Sequence, residues 1–239
     1  MKPHARHKCL AVFVVLVGGG VAYWTTRPGE TSPAATPTTP DAALHELHSG
    51  NLRFVDSRRT HSTDTRHDAD DRHRTAKGQH PFAAVLCCSD SRLCPEFIFD
   101  QRTGTMFEIR NAGNVVDEDV LASMEYAVEH FHVPLIVVLG HKGCGAIEAV
   151  CEAGEKPLHD HLRALQTRTA GIHKQVIECN HRHDAEVVDR LAEENAKQQA
   201  LTVLRESHPL KAAVGRGEVQ LVYGIYDMET GVVEFFDLP

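Results

Sequence analysis

The sequence has no excess of basic charge: 25 lysines and arginines face 33 aspartates and glutamates, for a formal charge of −8. A nucleic-acid binder needs a basic stripe to neutralise phosphates, so that class of partner is excluded. The sequence also lacks an apolar run of full membrane-spanning length. Its uncharged stretch from Cys9 to Trp24 is shorter than the ~20 residues a spanning helix usually needs, and falls near the lower limit of the range. No internal repeat is found. What remains is ordinary globular material: 42% hydrophobic and 24% charged residues in a chain of 239, enough for one domain with an appendage. The 17 histidines stand out. Histidine titrates near neutrality and binds metals, yet scattered surface histidines are the commoner explanation.

The first residues have the pattern of an export signal. Lys2, Arg6 and Lys8 form a positive n-region, Leu10 to Val17 is the densest apolar part, and Gly20-Val21-Ala22 offers small residues for cleavage. Residues 1–24 are therefore expected to be a signal peptide or membrane anchor, with cleavage favoured and the periplasm as destination. Cys9 precedes the apolar run, which does not suit a lipid-attachment cysteine. Residues 25–40 are rich in proline and threonine and predict an extended, solvated spacer.

Residues 41–239 read as the folded domain. Pro40-Asp41 opens an expected helix with Leu44, Leu47 and Leu52 on one face. Ser57 to Gln79 is polar and predicts a solvated segment with some helix; its histidines offer metal capture as the less favoured alternative. Short apolar runs then alternate with helical patterns. Phe82–Cys87, Thr105–Arg110 and Leu135–Gly140 predict strands, the last continuous in hydrophobicity as a parallel strand covered on both faces should be. Asp117–His130 predicts an amphipathic helix, Gly143-Cys144-Gly145 the start of another, and Asp184–Glu206 a long polar one. Val219–Tyr226 and Val232–Phe236 predict a closing hairpin. The fold class is α/β, with a mostly parallel central sheet flanked by helices and an N-terminal helical arm.

Such sheets bind ligands beyond the carboxyl ends of their strands. Two of those ends carry chemistry: Cys88-Ser89-Asp90-Ser91-Arg92 after the first strand, and His141-Lys142-Gly143-Cys144 after the third. Two thiolates and an imidazole suit Zn²⁺, and three protein ligands leave one tetrahedral position for water. A structural zinc site would more often close with a fourth Cys or His. Cysteines at strand ends are otherwise often inert core thiols.

The segments AKGQHPFAAVLCCSDSRLCPEFIFDQ, RNAGNVV, SMEYAVEHF and LIVVLGHKGCGAIEA follow one another in this order, and block by block the chain resembles the β-class carbonic anhydrases. The resemblance covers residues 41–239 and is most specific between Lys77 and Val150. It implies one zinc per subunit, held by Cys88, His141 and Cys144, and reversible hydration of carbon dioxide to bicarbonate by zinc-bound hydroxide. Zinc lowers the pKa of bound water from 15.7 towards ~7. Asp90 would accept a hydrogen bond from the hydroxide and aim it, and Arg92 would hold Asp90 ionised through a bidentate contact. An ordinary turn ion pair is the plain alternative for these two residues. Gln101 is a candidate for lining the substrate pocket. The family also implies a homodimer or higher homo-oligomer in which N-terminal helices embrace a partner, here through Asp41–Phe54.

Some members of the family have an inactive state in which the aspartate leaves its arginine and takes the fourth zinc position. In the bicarbonate-inhibited subgroup a tryptophan stands three residues before the zinc cysteine. Here that residue is Val85, although Arg110 and Tyr126 match the other pocket residues. The expectation is an open site of the plant-type subgroup. Cys87 and Thr105 depart from the residues common in the family at those positions and bear on local packing. With Cys88 and Cys144 assigned to zinc and Cys9 to the signal, Cys87, Cys94, Cys151 and Cys179 remain; no pairing follows from sequence, and free thiols are favoured. Two rival functions stay open. One is hydrolysis of carbonyl sulfide or carbon disulfide on the same scaffold. The other is a non-enzymatic periplasmic zinc-binding protein using the histidine-rich stretch 61–80, against which Asp90 and Arg92 count because metal storage needs neither.

Overall fold

A computed structural model describes residues 12–17, 20–25, 36–60, 69–172 and 185–239. Residues 36–239 belong to one compact unit, and the chain up to residue 35 to another. In the first unit, β1 (Val12–Val17) and β2 (Gly20–Thr25) pair antiparallel, with Val17 opposite Gly20. The apolar run that the sequence offers as signal or anchor is thus paired as strands. Among the described residues no helix is long and apolar enough to cross a membrane. The n-region, Cys9, Cys179 and most of the proline-rich spacer lie outside the described residues.

The main unit begins with α1 (Pro40–Val55), a helix of 16 residues. Its N-cap is Thr39, one residue before the expected cap, and the Thr39 hydroxyl accepts from Ala42 N–H at 3.4 Å. The three leucines do not share one buried face: Leu47 is fully buried, Leu44 partly, and Leu52 is 52% exposed. The polar stretch that follows contains the short α2 (Ala69–Thr75), as the composition suggests.

A five-stranded sheet forms the centre, with β4 (Met106–Asn111), β3 (Ala83–Cys88), β5 (Leu135–His141), β6 (Gln220–Tyr226) and β7 (Val233–Asp237) in that spatial order. β4, β3, β5 and β6 run parallel and β7 closes antiparallel to β6. Every residue of β3 and β5 is buried, because helices cover both faces; the continuous apolar runs AAVLCC and LIVVLG are what such strands require. Each fully buried Leu, Ile or Val there contributes roughly 1.5–3 kcal/mol relative to exposure.

Among the described residues the other α-helices are α3 (Pro95–Ile98), α4 (Glu118–Phe131), α5 (Gly145–Ala153), α6 (Arg163–Arg168), α7 (Ala185–Glu206) and α8 (His208–Gly215). Asp117 caps α4 by accepting from Val120 N–H at 2.9 Å. The long α7, expected to be polar, instead buries Val187, Val188, Leu191, Ala192, Asn195, Ala196, Gln199, Ala200 and Val203. Its polar residues dilute the hydrophobic pattern without removing the buried stripe. Ala192 and Ala196 pack closely over β5, where a Cβ on Gly140 would stand 3.1 Å from Ala196 Cβ and 3.2 Å from Ala192 O.

Asn51 ties α1 to the rest of the unit. Its Nδ2 donates to Ile98 O at 3.2 Å and Gly231 O at 2.9 Å, while Val233 N–H donates to its Oδ1 at 2.9 Å. Removing a buried group with three such partners leaves them unpaired in a dry interior. Asn51→Ala is expected to lower unfolding free energy by about 3 kcal/mol, read as a lower denaturation midpoint at unchanged m-value; a loss within error would show that water replaces the amide freely.

Candidate metal centre

The strand order reverses direction at β3. Its own connection leads outward to β4 on one side, whereas β5 lies on the other side and leads on to β6. Crevices at such switch points, outside the carboxyl ends of parallel strands, are where this class of sheet binds ligands. Cys88 ends β3 and His141 ends β5, and the ladder pairs Cys87 with Leu139. The two adjacent strand ends therefore present Cys88 and His141 side by side. Cys144 completes the group from the N-cap of α5. The ligand atoms of Cys88, His141 and Cys144 all lie within 4.8 Å of one another, and all three residues are buried.

The chemistry of this donor set fits a divalent cation. His141 is fully buried, its Nδ1 lies 2.9 Å from Lys142 O, and its Nε2 has no partner. A carbonyl accepts, so Nδ1 carries the proton and Nε2 keeps a lone pair aimed into the site. The Cys88 thiol is pulled down, first by a hydrogen bond from Cys144 and, against desolvation, by the backbone N–H groups of Gly113 and Asp90. Gly113 N–H lies 3.3 Å from Cys88 Sγ. Cys144 is pushed up, first because its S–H donates to the Cys88 sulfur, then by burial and by the like charge its ionisation would place beside the Cys88 thiolate. Only a cation between them allows both sulfurs to be thiolates, and with an imidazole lone pair the set matches Zn²⁺. N–H groups of Ile147 and Ala146, at the start of α5, already favour the Cys144 thiolate.

Asp90 lies beside the cluster, tied to Arg92. Arg92 Nε and its own backbone N–H donate to Asp90 Oδ1 at 2.9 and 3.0 Å, and Nη2 donates to Oδ2 at 2.8 Å. The guanidinium holds the Asp90 carboxyl well below the usual carboxylate range. Arg110 pins the loop from beneath: its guanidinium donates to Cys88 O at 3.2 Å and to Asp90 O at 2.9 Å. The cluster thus has three protein donors, with Asp90 held in its ion pair.

Three residues singled out in the sequence land elsewhere. Gln101 sits on the connection running back to the amino end of β4, and its Nε2 donates to Glu46 Oε1 at 2.9 Å and Phe99 O at 3.0 Å. Those contacts fasten it to α1 rather than to the cluster. Tyr126 does not join Arg110: its ring packs on Phe107, His130 and Phe131, and Phe107 points to the face of β4 opposite Arg110 because strand side chains alternate. Val85 is fully buried in the core. Cys87 and Cys151 are buried and Cys94 is partly exposed, and burial pushes the Cys87 thiol up to about 12.

Several contributors went unnoticed in the sequence. Gly113, with φ +74°, brings its N–H to the Cys88 sulfur. Lys142 pairs with Asp227 at 2.8 Å, and Asp227 also accepts from the backbone of Glu229 and Thr230 in the last hairpin. A separate cleft of about 400 Å³, lined in part by Glu129, Pro209 and Arg216, has no comparable set of donors.

A parallel α/β sheet with a Cys-His-Cys cluster at its switch point and a carboxylate–guanidinium pair beside it defines an α/β protein with a cluster that could hold a metal ion. A family profile described as carbonic anhydrase matches residues 83–233, and the chain belongs to that family. It is 36% identical over 197 residues to carbonic anhydrase 2 of Mycobacterium tuberculosis, covering 81% of this chain and 91% of that protein. Among solved structures, the β-carbonic anhydrase CcaA aligns at a TM-score of 0.63 with 27% identity, over 81% of this chain and 95% of that one. A Coccomyxa β-carbonic anhydrase in complex with acetazolamide aligns at 0.60 with 26% identity, over 80% and 85%. The fold is that of the β-class, and the chain is a carbonic anhydrase enzyme.

Cys88, His141 and Cys144 are the residues that could hold a metal ion here. Cys88→Ala, His141→Ala and Cys144→Ala are each expected to lose most bound zinc, because two donors in this site cannot hold the ion against solvent. Elemental analysis of the purified variants checks this, and full occupancy in any one of them removes that residue from the ligand set.

Proposed function

We propose that the chain interconverts carbon dioxide and bicarbonate at a single zinc ion held by Cys88, His141 and Cys144. The observation that supports this most directly is the orphaned lone pair of buried His141 between two thiols that cannot both ionise without a cation. Bound zinc supplies Lewis acidity that makes hydroxide available from water at neutral pH. The chain's own residues do the rest. Asp90 Oδ1 already accepts twice from Arg92, whereas Oδ2 accepts once and keeps a lone pair, so Oδ2 can accept a hydrogen bond from the nucleophile and aim it at the substrate carbon. Arg92 keeps that carboxylate ionised and occupied. By holding Asp90 to one side, the pair would keep its carboxylate off a metal held by Cys88, His141 and Cys144, as the plant-type subgroup would have it.

Stopped-flow hydration of carbon dioxide by the full chain, with and without chelator, tests the function. Activity abolished by chelator and restored by zinc supports it; faster turnover of carbonyl sulfide or carbon disulfide under the same conditions would favour the rival substrates. Arg92→Ala is expected to keep zinc while losing about 10²-fold in kcat/KM, because Asp90 is freed to occupy the open position. The sign of the pH dependence follows from the pair. A carboxyl held below its ordinary pKa keeps the ion pair as pH falls and loses it only through that depressed value, so wild type should show no acid limb in the ordinary carboxylate range.

We also propose a homo-oligomer and an exported protein. Leu52 on α1 is 52% exposed although its helix packs on the domain, which leaves an apolar residue for a second copy to cover. Light scattering that finds a fully active monomer would contradict this. Export rests on Lys2, Arg6 and Lys8 before the apolar run. Fractionation with intact-mass measurement separates a cleaved signal from a retained anchor, and full-length soluble protein in the cytoplasm overturns both.

A further inference from the structure

The helix α7 lies against the metal centre and supplies none of its ligands. Its close approach at Gly140 places it directly on the residue before His141. Two polar side chains reach further. Asn195, fully buried, donates through Nδ2 to Gly113 O at 2.9 Å, and Gly113 N–H in turn points at Cys88 Sγ. Six residues earlier in α7, Asp189 Oδ1 accepts from Gly143 N–H at 2.8 Å, midway along the loop between His141 and Cys144.

Both glycines sit at positive φ, +74° for Gly113 and +60° for Gly143. Glycine visits this region freely, and by the same token has no side chain to hold it there. The orientation of each peptide must be set from outside. Around Asn195 the direction of the amide is fixed by its neighbours. Gln199 Nε2 donates to Asn195 Oδ1 at 3.1 Å and to Arg168 O at 3.0 Å, while Gln199 Oε1 accepts from Val116 N–H at 2.8 Å. Gln199 can donate to Asn195 only if the Asn195 oxygen faces it, so Nδ2 must face Gly113. A buried asparagine satisfied for its own sake needs no such order. This one ends a directed chain on the carbonyl of Gly113, the residue whose N–H meets the Cys88 sulfur.

We propose that α7 is the outer support of the metal centre, in which Asn195 anchors the carbonyl of Gly113, the residue whose N–H meets the Cys88 sulfur, and Asp189 fixes the His141–Cys144 loop. Both are positioning residues, since neither touches the ion or the substrate. The inference rests on the zinc assignment made above. Partners of this kind orient ligands and tune their donor strength, and their loss typically costs 10- to 100-fold in metal affinity. An N–H···S bond draws electron density from the thiolate, so a sulfur-to-metal charge-transfer band lies at higher energy with it than without it.

Cobalt(II) is the probe, loaded into the full chain in place of zinc. Asn195→Ala is expected to shift the sulfur-to-cobalt band to longer wavelength and to release metal to excess chelator about tenfold faster than wild type. Asp189→Ala is expected to release metal about tenfold faster as well, and Asp189→Asn to restore the wild-type rate, because the amide oxygen still accepts from Gly143. Should Asn195→Ala fail to fold, as judged by circular dichroism and thermal melting, the two Asp189 variants decide the matter. A wild-type chain that binds cobalt stoichiometrically, with band and release rate unchanged in the alanine variants, overturns this inference and leaves the metal centre standing. Release from Asp189→Asn as fast as from Asp189→Ala overturns it too. A wild-type chain that binds neither cobalt nor zinc overturns the inference and the zinc assignment together.

Discussion

Everything near the active centre follows from putting two cysteines and a histidine within 4.8 Å of one another in a buried place. Without a cation this arrangement is unfavourable. One sulfur can ionise with the help of neighbouring N–H groups, but the second then faces a like charge in a medium that screens it poorly. The fold must hold the three donors together regardless. It does so with its most rigid parts: two adjacent parallel strands buried along their whole length, and the first turn of a helix that starts directly after the loop. Ligands on strand ends inherit the rigidity of the sheet, which is what a preorganised metal site needs.

The connections around those strand ends are correspondingly over-determined. Arg110 reaches from β4 to the carbonyls of Cys88 and Asp90, Asp227 holds Lys142 from the last hairpin, and Asn111 closes the loop at Gly113 by bonding Val115 at 2.7 and 2.9 Å. Arg110 and Asp227 reach residues far from them in sequence, whereas Asn111 acts within its own loop. They converge because the strand ends to which they are attached are neighbours in the sheet. None has the ion as its partner, yet each restricts how far a ligand can drift.

Much of this was legible in the sequence, and for identifiable reasons. The strands AAVLCC and LIVVLG announce themselves because a parallel strand covered on both faces has no polar alternation to blur it. Cys88, His141 and Cys144 are visible because thiol and imidazole at two strand ends have few bland explanations together. The sequence was less informative where side-chain polarity and burial part company. Asn195 and Gln199, four residues apart on one face of α7, read as surface residues of a polar helix, and only their place in the stripe of Val188, Leu191, Ala192, Ala196 and Val203 marks them as buried. Leu52 errs in the other direction, apolar but left outside its own domain. Tyr126 matched a family pattern by residue type, whereas the two-residue period of β4 sends its ring partner Phe107 and Arg110 to opposite faces.

The Asp90–Arg92 pair shows how small an element can decide between an open and a closed centre. Arg92 is 61% exposed on its side chain and Asp90 17%, and exposed ion pairs contribute little on average because water screens them and both side chains lose freedom. Coulomb attraction alone would be a weak restraint on Asp90. Its strength here comes from geometry: a two-pronged guanidinium contact and a backbone N–H, all from a residue two positions away, so that little extra chain entropy is lost in making it. Meanwhile Arg110 holds the Asp90 carbonyl, and hence the backbone, whichever way the carboxylate points. Opening and closing would therefore differ by the rotation of one side chain on a fixed loop. A lysine at position 92 would keep the charge but lose the fork and the planar fit to both oxygens, and on this argument the restraint would fall back towards that of an ordinary exposed pair.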